Sequence, residues 1–378
     1  MAGALVLAGC AGAPTRTAAG GSTSAPAPAL PTPPVTSAAM YKGADISALA
    51  RIEQAGGVFR DSGRAGDAIA ILAAHGSNTF RLRLFVNPSG QNVQVNDLPY
   101  TLALARRIKA AGAHLLLDFH YSDTWADPGH QTMPAAWVGL GFDSLEATVQ
   151  HYSADVIAQL KAQGTLPGIV QIGNEIDGGM LWPIGKVGGA YDTPQQWSQF
   201  TRLLKAGVRG VRSALAPGDR VRIMIQYSGG GKTAATQRFF DHIDADSVPY
   251  DLIGLSYYPW WQGGVAALQA NLDATAQRHH RGVMVVETSY PWRAGGWEGM
   301  GSDPNAMTWP ATPAGQAAFL ADVIRAEAAV PDGLGAGVIW WYPEAINVPG
   351  LSIWGGGSLS LFDASGNLLP AAGMFASP

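Results

Sequence analysis

The stretch GIVQIGNE, residues 168–175, carries the pattern that decides the fold of this chain. It is a short apolar run that ends in an amide and a carboxylate, and similar short runs recur along the sequence. The eight predicted strands are Tyr41–Ile46, Thr79–Phe85, His114–Phe119, Gly168–Gly173, Arg220–Gln226, Leu252–Ser256, Gly282–Glu287 and Gly337–Trp341. Eight apolar strands alternating with helices predict an α/β fold with a parallel sheet covered on both faces, and eight is the number that closes a (β/α)8 TIM barrel.

The segments between the strands show the apolar spacing of helices. Helices are predicted at Leu98–Ala111, Leu145–Gln163, Pro194–Leu215, Gly264–His279 and Pro313–Val330. The glycines at 229–231 do not have the spacing of a phosphate-binding loop, so they predict a flexible loop with a modest helix start. No linker-like composition recurs after Met40, which predicts a single catalytic domain over residues 40–378.

The composition excludes several classes of protein. Only 14% of the 378 residues are charged and the formal net charge is -4, so a nucleic-acid binder with a basic stripe is not expected. A single Cys rules out an internal disulfide framework and a zinc site built on clustered cysteines. The 12 Trp are more than ordinary usage gives, and sugar-binding clefts stack pyranose rings on exposed aromatic faces.

Two segments precede the predicted barrel. Residues 1–12 are apolar and small, and Leu7 to Cys10 read as a bacterial lipobox, so a lipoprotein-type signal with lipidation at Cys10 is expected. A chance apolar N-terminus is the alternative, because the Lys or Arg that opens a secretory signal is absent. Residues 13–39 are almost wholly Ala, Pro, Thr, Ser and Gly, which predicts a disordered linker. We therefore expect an extracytoplasmic protein, secreted or lipid-anchored in a membrane at the bacterial cell envelope.

Two glutamates end predicted strands four and seven. Glu175 follows IVQIGN and Glu287 follows VMVV, so both can face the mouth of the barrel, where function resides in this fold. Glycoside hydrolysis needs such a pair, one as acid and one as nucleophile or base. The distance that separates retention from inversion cannot be read from sequence. The alternative is a purely structural role, in which either glutamate serves only in an ion pair.

Polar neighbours complete this predicted site. Asn174 suits a donor to the sugar 2-hydroxyl, and Tyr258 can hydrogen-bond Glu287 and hold it ionised. Glu175 must stay protonated near neutral pH, which requires an apolar pocket or a nearby negative charge. Arg81 and Arg83 on strand two either belong to this site or pair with carboxylates inside the barrel.

Four long segments carry a further signal: LLLDFHYSDTWADPGHQTMPAAW (Leu115–Trp137), VQIGNEIDGGMLWPIG (Val170–Gly185), LIGLSYYPWW (Leu252–Trp261) and VVETSYPW (Val285–Trp292). They resemble glycoside hydrolase family 53, whose members are retaining endo-β-1,4-galactanases with a (β/α)8 barrel. The resemblance implies Glu175 as acid/base and Glu287 as nucleophile. It also implies that the residues around the reacting sugar include Arg83, His120, Asn174, Tyr258 and Trp341.

The chain departs from the family pattern at two places on the substrate face. After strand five a His-Leu pair is usual, whereas this chain has Gln226-Tyr227. After strand eight the pattern Tyr-Trp-Glu-Pro-Ala-Trp is replaced by WWYPEA at residues 340–345. Some bacterial members of the family bind calcium in the loops after strands seven and eight. In this chain, residues 293–309 supply oxygen ligands in Glu298, Asp303 and Asn305. Their spacing matches no calcium loop, so we assign no metal ligands and expect no required cofactor, with structural calcium left open.

The remaining candidates lie in loops that leave the strands. Sugar stacking is expected for Trp125, Trp182, Trp260, Trp261, Trp292 and Trp297, with Trp182 and Trp260 favoured. Asp123 and His120 are expected to bind sugar hydroxyls or orient Arg83, and a metal site with His130 and Asp127 is the weaker alternative. Trp137, Trp197, Tyr152 and Phe319 fall in or beside helical stretches and are expected to pack.

The predicted function is cleavage of β-1,4-galactosidic linkages in galactan or arabinogalactan side chains of pectin by double displacement. The alternatives are a clan relative that acts on another β-linked glycan, and a catalytically silent surface glycan-binding lipoprotein. The expected partner is this polysaccharide, with no nucleic acid, and the chain is expected to be a monomer.

Overall fold

A computed structural model describes residues 40–295 and 307–377. Its barrel strands are β1 Tyr41–Asp45, β2 Thr79–Leu84, β3 His114–Phe119, β4 Ile169–Ile172, β5 Arg222–Tyr227, β6 Leu252–Tyr257, β7 Gly282–Thr288 and β8 Gly335–Trp341. These parallel strands close into a barrel in the order β1-β8-β7-β6-β5-β4-β3-β2, which confirms the predicted (β/α)8 barrel. Two antiparallel hairpins lie outside the barrel, Phe59–Asp61 with Arg64–Gly66 and Gly179–Met180 with Gly185–Lys186.

The helices of the described residues surround the barrel. They are α1 Leu49–Gln54, α2 Ala68–Ala74, α3 Leu98–Ala110, α4 Phe142–Ala162, α5 Pro194–Ser213, α6 Thr233–Ala245, α7 Pro259–Gln262, α8 Val265–His279 and α9 Pro313–Ala328. Short 3-10 turns occur at Ala135–Trp137, Gly189–Tyr191, Pro331–Gly333, Trp354–Gly357 and Pro370–Ala376. None of the helices in residues 40–295 and 307–377 is both long and apolar enough to cross a membrane.

Local chemistry explains where several helices begin. Asp97, Thr193 and Thr312 accept backbone N–H groups at the starts of α3, α5 and α9, and each of these helices has a proline in its first turn. The loop predicted at residues 229–231 is present, and the helix start predicted after it is the beginning of α6 at Thr233. Helices α1 and α2 were not predicted, since they are too short to show a clear period.

The barrel interior is built in layers. An apolar layer near the amino ends of the strands includes Leu116, Ile169, Met224, Leu252, Met284, Val286 and Ile339. Two residues further along their strands, Asp118, Gln171 and Gln226 point to the same side, because side chains alternate with a period of two. A polar layer therefore lies above the apolar one, at the end of the barrel where the strands stop.

Candidate active site

A cleft of about 420 Å³ opens at the carboxyl ends of the strands. The predicted site residues that line it are Arg83, His120, Trp125, Asn174, Glu175, Tyr258, Trp261, Glu287 and Trp341. These side chains come from both halves of the chain, and the barrel brings them together as the strand ends converge.

Glu287 is the second-last residue of β7 and is held by two donors. The Tyr258 hydroxyl donates to its Oε1 at 2.6 Å, which is the contact expected from the sequence, and Arg81 Nη1 donates to its Oε2 at 3.2 Å. Burial raises the pKa of Glu287, while the Arg81 cation and the Tyr258 hydrogen bond oppose that rise. The net pKa of Glu287 still lies above the usual value, and the carboxyl group is buried and oriented by these two donors.

Arg81 is at the centre of the polar layer. Its guanidinium donates to Asp45 at 3.0 Å, to Asp118 at 2.8 Å and to the Asn174 side-chain oxygen at 2.6 Å, in addition to Glu287. Burial disfavours its charge, but the carboxylates of Asp118, Asp45 and Glu287 outweigh burial and raise the pKa of Arg81. The sequence left Arg81 open between interior pairing and the site, and the structure shows that it does both.

Glu175 follows β4 in an unusual backbone conformation. Its φ is 45°, in the left-handed region that non-glycine residues rarely adopt. Gly173, two residues before it, has φ 83°, and a Cβ there would meet the Ile176 side chain at 2.6 Å, so the turn requires a glycine. The Ser256 hydroxyl donates to Glu175 Oε1 at 2.6 Å. Burial, followed by the charge of Glu287, raises the pKa of Glu175 well above the usual value, as its predicted role requires.

His120 and Asn174 line the cleft together with the two glutamates. His120 Nδ1 accepts the Ala126 N–H at 3.1 Å, so the proton is on Nε2, which lies 3.1 Å from Asp118 Oδ2. The Asn174 amide donates to the Ala126 carbonyl at 2.7 Å. His120 therefore contacts Asp118, a carboxylate that also binds Arg81. The side chains of His120 and Asn174 both line the cleft.

Arg83 lies beside the cleft under an aromatic ring. Its guanidinium carbon is 4.3 Å from the centre of the Trp125 ring, and its nearest carboxylate oxygen, on Asp45, is 3.8 Å away. Its three guanidinium nitrogens have no hydrogen-bond acceptor among the described residues. Arg83 therefore supports Trp125 from one side by a cation–π contact.

Aromatic rings form one wall of the cleft. Trp341 lies 6.4 Å from Trp125 and 4.7 Å from Trp354, and Trp354 lies 6.4 Å from Trp261, all between ring centres. Trp261 is 43% exposed. Trp354 was not predicted, because it lies in a 3-10 turn well after β8 where no pattern marks it. The wall offers apolar surface of the kind on which sugar rings stack.

Two of the favoured tryptophans are placed differently from the prediction. Trp260 is only 2% exposed and packs against Tyr258 and Trp261, so it presents no face to a ligand. Trp182 is not among the described residues that line the cleft. One face of its ring is covered by the Lys186 ammonium at 4.0 Å, and its indole N–H donates to the Gly178 carbonyl at 2.8 Å.

Asp123 and Trp292 are also not among the described lining residues. The carboxylate of Asp123 accepts the backbone N–H groups of Asn87 at 2.9 Å and Ala135 at 2.8 Å, so it braces two loops instead of orienting Arg83. Trp292 donates to the Gly357 carbonyl at 3.0 Å. The side chains of Asp123 and Trp292 are therefore both hydrogen-bonded to backbone groups of neighbouring loops.

The predicted packing residues, the alternative metal site and the N-terminal segment have different outcomes. Trp137, Trp197 and Phe319 are buried, as expected for packing residues. No group of three or more metal-ligating side chains occurs within residues 40–295 and 307–377, and His130 pairs with Asp127 at 2.9 Å. Cys10, the linker, Trp297 and the oxygen ligands Glu298, Asp303 and Asn305 lie outside the described residues.

Comparison with known proteins gives one family. The model of glycosyl hydrolase family 53 matches residues 41–375. A protein of Niallia circulans from the bgaB 5′ region is 40% identical over 344 residues, covering 88% of this chain and 92% of its own. An arabinogalactan endo-β-1,4-galactanase of Thermothelomyces thermophilus is 33% identical over 354 residues, covering 89% of this chain and 98% of its own. The GH53 catalytic domain of Ignisphaera aggregans superimposes with a TM-score of 0.82 at 31% identity, covering 92% of this chain and 98% of that domain.

Proposed function

The chain belongs to glycosyl hydrolase family 53 and is a glycoside hydrolase, and from this premise we propose that it is a retaining endo-β-1,4-galactanase. The observation that carries the proposal is the different surroundings of two glutamates in one cleft. Burial raises the pKa of both, but at Glu287 the Arg81 cation and the Tyr258 hydrogen bond oppose the rise, while at Glu175 the charge of Glu287 adds to it. One carboxyl group whose partners favour its charged form, beside another that is driven towards its protonated form, is what double displacement at a glycosidic bond requires.

In the first step, Glu287 attacks the anomeric carbon and Glu175 gives its proton to the departing oxygen. The glycosidic bond breaks and an ester forms between the sugar and Glu287. In the second step, the Glu175 carboxylate takes a proton from water, the water oxygen attacks the anomeric carbon, and the ester bond breaks. Two inversions at the same carbon give net retention, and no cofactor enters either step.

The aromatic wall supports a neutral polysaccharide as substrate. An endo-acting enzyme must hold several sugars along an open cleft, and Trp125, Trp261 and Trp341 supply apolar faces for this without buried charge. The galactan specificity rests on the family and on the named galactanase relative. We extend it to galactan and arabinogalactan side chains of pectin.

Incubation with linear β-1,4-galactan tests the proposal. We expect release of reducing ends with a rapid fall in viscosity, and nuclear magnetic resonance of early products should show the β-anomer first. Release from mannan or xylan but not from galactan would favour a clan relative with another substrate. Affinity for galactan without any release would favour a silent glycan-binding protein.

For location and assembly, we propose a monomer held outside the cytoplasm by a lipid on Cys10. The lipobox at residues 7–10 and the Pro- and Ala-rich composition of residues 13–39 support this. Incorporation of labelled palmitate into the full chain, lost in Cys10→Ser, would support the anchor. Absence of label in both would contradict it, and light scattering tests the monomer.

A further inference from the structure

The side chain of Gln226 makes direct contact with the residue proposed as the acid/base. Its Oε1 accepts the backbone N–H of Glu175 at 3.2 Å, and its Nε2 lies 3.0 Å from the Ser256 hydroxyl. A backbone N–H can only donate, so this contact identifies which end of the Gln226 amide carries the oxygen. The other end must be the NH₂ group, and it donates to Ser256.

The orientation is supported from the opposite side by Gln171. Its Nε2 lies 3.0 Å from the Gly173 carbonyl and 2.7 Å from Asp118 Oδ1, two groups that accept hydrogen bonds. The same nitrogen lies 2.6 Å from Gln226 Oε1. Every contact therefore assigns Gln226 Oε1 as an acceptor.

This leaves one direction for the proton of Ser256. Its hydroxyl already accepts from Gln226, and it lies 2.6 Å from Glu175 Oε1. A hydroxyl has a single proton to donate, and Glu175 Oε1 is the one acceptor recorded for it among the described residues, so this proton points to Glu175 Oε1. If Glu175 carried its own proton on Oε1, two donors would face each other there.

From this chain of contacts we propose that Gln226 and Ser256 are positioning residues, which hold Glu175 Oε1 as an acceptor and leave Oε2 as the oxygen that transfers the proton. The inference rests on the proposed function and specifies the geometry of its acid/base. Gln131 contributes to the same end, since its Nε2 donates to the Asn174 carbonyl at 2.8 Å and the Glu175 carbonyl at 3.2 Å. The left-handed Glu175 peptide is thus held at both its N–H and its carbonyl.

The electrostatic consequence has a definite sign. A hydrogen bond donated to a carboxylate favours its charged form, so Ser256 lowers the pKa of Glu175 against burial and the charge of Glu287, which raise it. The other groups that act on Glu175 are Asp177, which raises its pKa, and Arg81, which lowers it. Ser256 therefore helps Glu175 to ionise after the first step, when it must act as a base.

The test is the pH profile of kcat/KM on linear galactan for wild type, Ser256→Ala and Gln226→Glu. The alkaline limb of that profile reports the acid of the free enzyme. Ser256→Ala removes the donor. Gln226→Glu keeps the shape, but its carboxylate accepts the Ser256 proton and adds negative charge. We expect the alkaline limb to move to higher pH in both variants, and kcat at neutral pH to fall by about 10- to 100-fold, the scale of a lost hydrogen bond to a charged group.

Ser289→Ala is the matched control. Ser289 is a fully buried serine after β7 whose hydroxyl has no hydrogen-bond partner among the described residues. We expect its profile to match wild type, and circular dichroism of each variant checks folding. A lower kcat with an unmoved alkaline limb in Ser256→Ala would overturn the positioning role, since packing alone would then explain the loss. If wild type releases no sugar from any galactan, the proposed function fails instead, so the two failures are distinguishable.

Discussion

The hydroxyl of Tyr258 donates a 2.6 Å hydrogen bond to Oε1 of Glu287, joining the residue after β6 to the end of β7. The two strands change register between Leu255 and Ser256. Such an irregularity re-aims side chains locally, and here it lies where β6 and β7 carry residues of the cleft. Burial together with the charge of Glu287 raises the pKa of Tyr258, so the phenol stays protonated and remains a donor.

Tyr258→Phe removes this donor while keeping the ring. A hydrogen bond to a charged group contributes about 1.5–3 kcal/mol, so kcat/KM on galactan should fall about 10- to 100-fold. The loss should appear mainly in kcat, because the nucleophile is affected more than substrate binding. An unchanged kcat with only a higher KM would show that Tyr258 binds sugar and does not act through Glu287.

Glu175→Gln and Glu287→Gln should each abolish most turnover while leaving the fold intact. Loss of the acid/base should cost about 10²- to 10⁴-fold, and loss of the nucleophile on the order of 10⁴-fold or more. The two roles separate on an aryl galactobioside with a good leaving group, which needs no protonation to depart. Glu175→Ala should then form the galactosyl ester, and added azide should accelerate its breakdown, whereas Glu287→Gln should stay inactive.

The barrel and most of the cleft could be predicted from sequence because eight short apolar runs alternate with helices, and polar residues follow where the runs end. Alternate residues of β2, Thr79, Arg81 and Arg83, share one side, and the apolar run marks where that strand ends. The same rule placed Glu175 and Glu287 at strand ends. What it could not show is that Arg81 reaches Glu287 from a strand more than 200 positions earlier in the chain.

The aromatic wall was harder to predict, and the two neighbours Trp260 and Trp261 show why. Both lie in the four-residue helix α7, where each residue is rotated by about 100° from the one before, so adjacent side chains leave in different directions. One is buried and the other faces the cleft. A segment of four residues has no period from which to read its inner face.

The same pair gives a prediction with a built-in control. Trp261→Ala should raise KM on galactan on the order of 10-fold, since about 1–2 kcal/mol of apolar contact with a sugar is lost. Trp260→Ala should instead cost about 3–5 kcal/mol of folding free energy, because it leaves a cavity in a packed cluster. Urea unfolding and Michaelis kinetics on both variants separate these outcomes. Equal effects on KM would contradict the assignment of Trp261 to the cleft.

Glu344 makes folding stability depend on pH. Its carboxyl is fully buried beside Ala48, whose N–H it accepts at 2.8 Å, and burial raises its pKa from 4.5 to about 8. The folded state then binds the proton more tightly than the unfolded state, so the free energy of unfolding should fall as pH rises from about 4.5 to 8. In Glu344→Gln, which keeps the oxygen that accepts from Ala48, this fall should be less steep. Urea unfolding at several pH values measures the difference, and parallel curves would contradict it.

Arg81→Lys tests whether a fork of donors, and not only a positive charge, holds the polar layer together. Arg81 contacts Asp45 and Glu287 from Nη1, and Asp118 and Asn174 from Nη2, a fork that the single ammonium of lysine cannot reproduce. Leaving buried carboxylates without a partner is costly, so we expect a loss of about 3–5 kcal/mol in the free energy of unfolding and at least a tenfold loss of kcat. Arg107→Lys is the control: it also contacts two carboxylates, Glu53 and Asp67, but it is partly exposed, where ion pairs contribute about 0–1 kcal/mol. If both variants lose stability equally, the burial of Arg81 is not what makes its geometry important. If Arg81→Lys keeps full activity, charge alone suffices to orient Glu287.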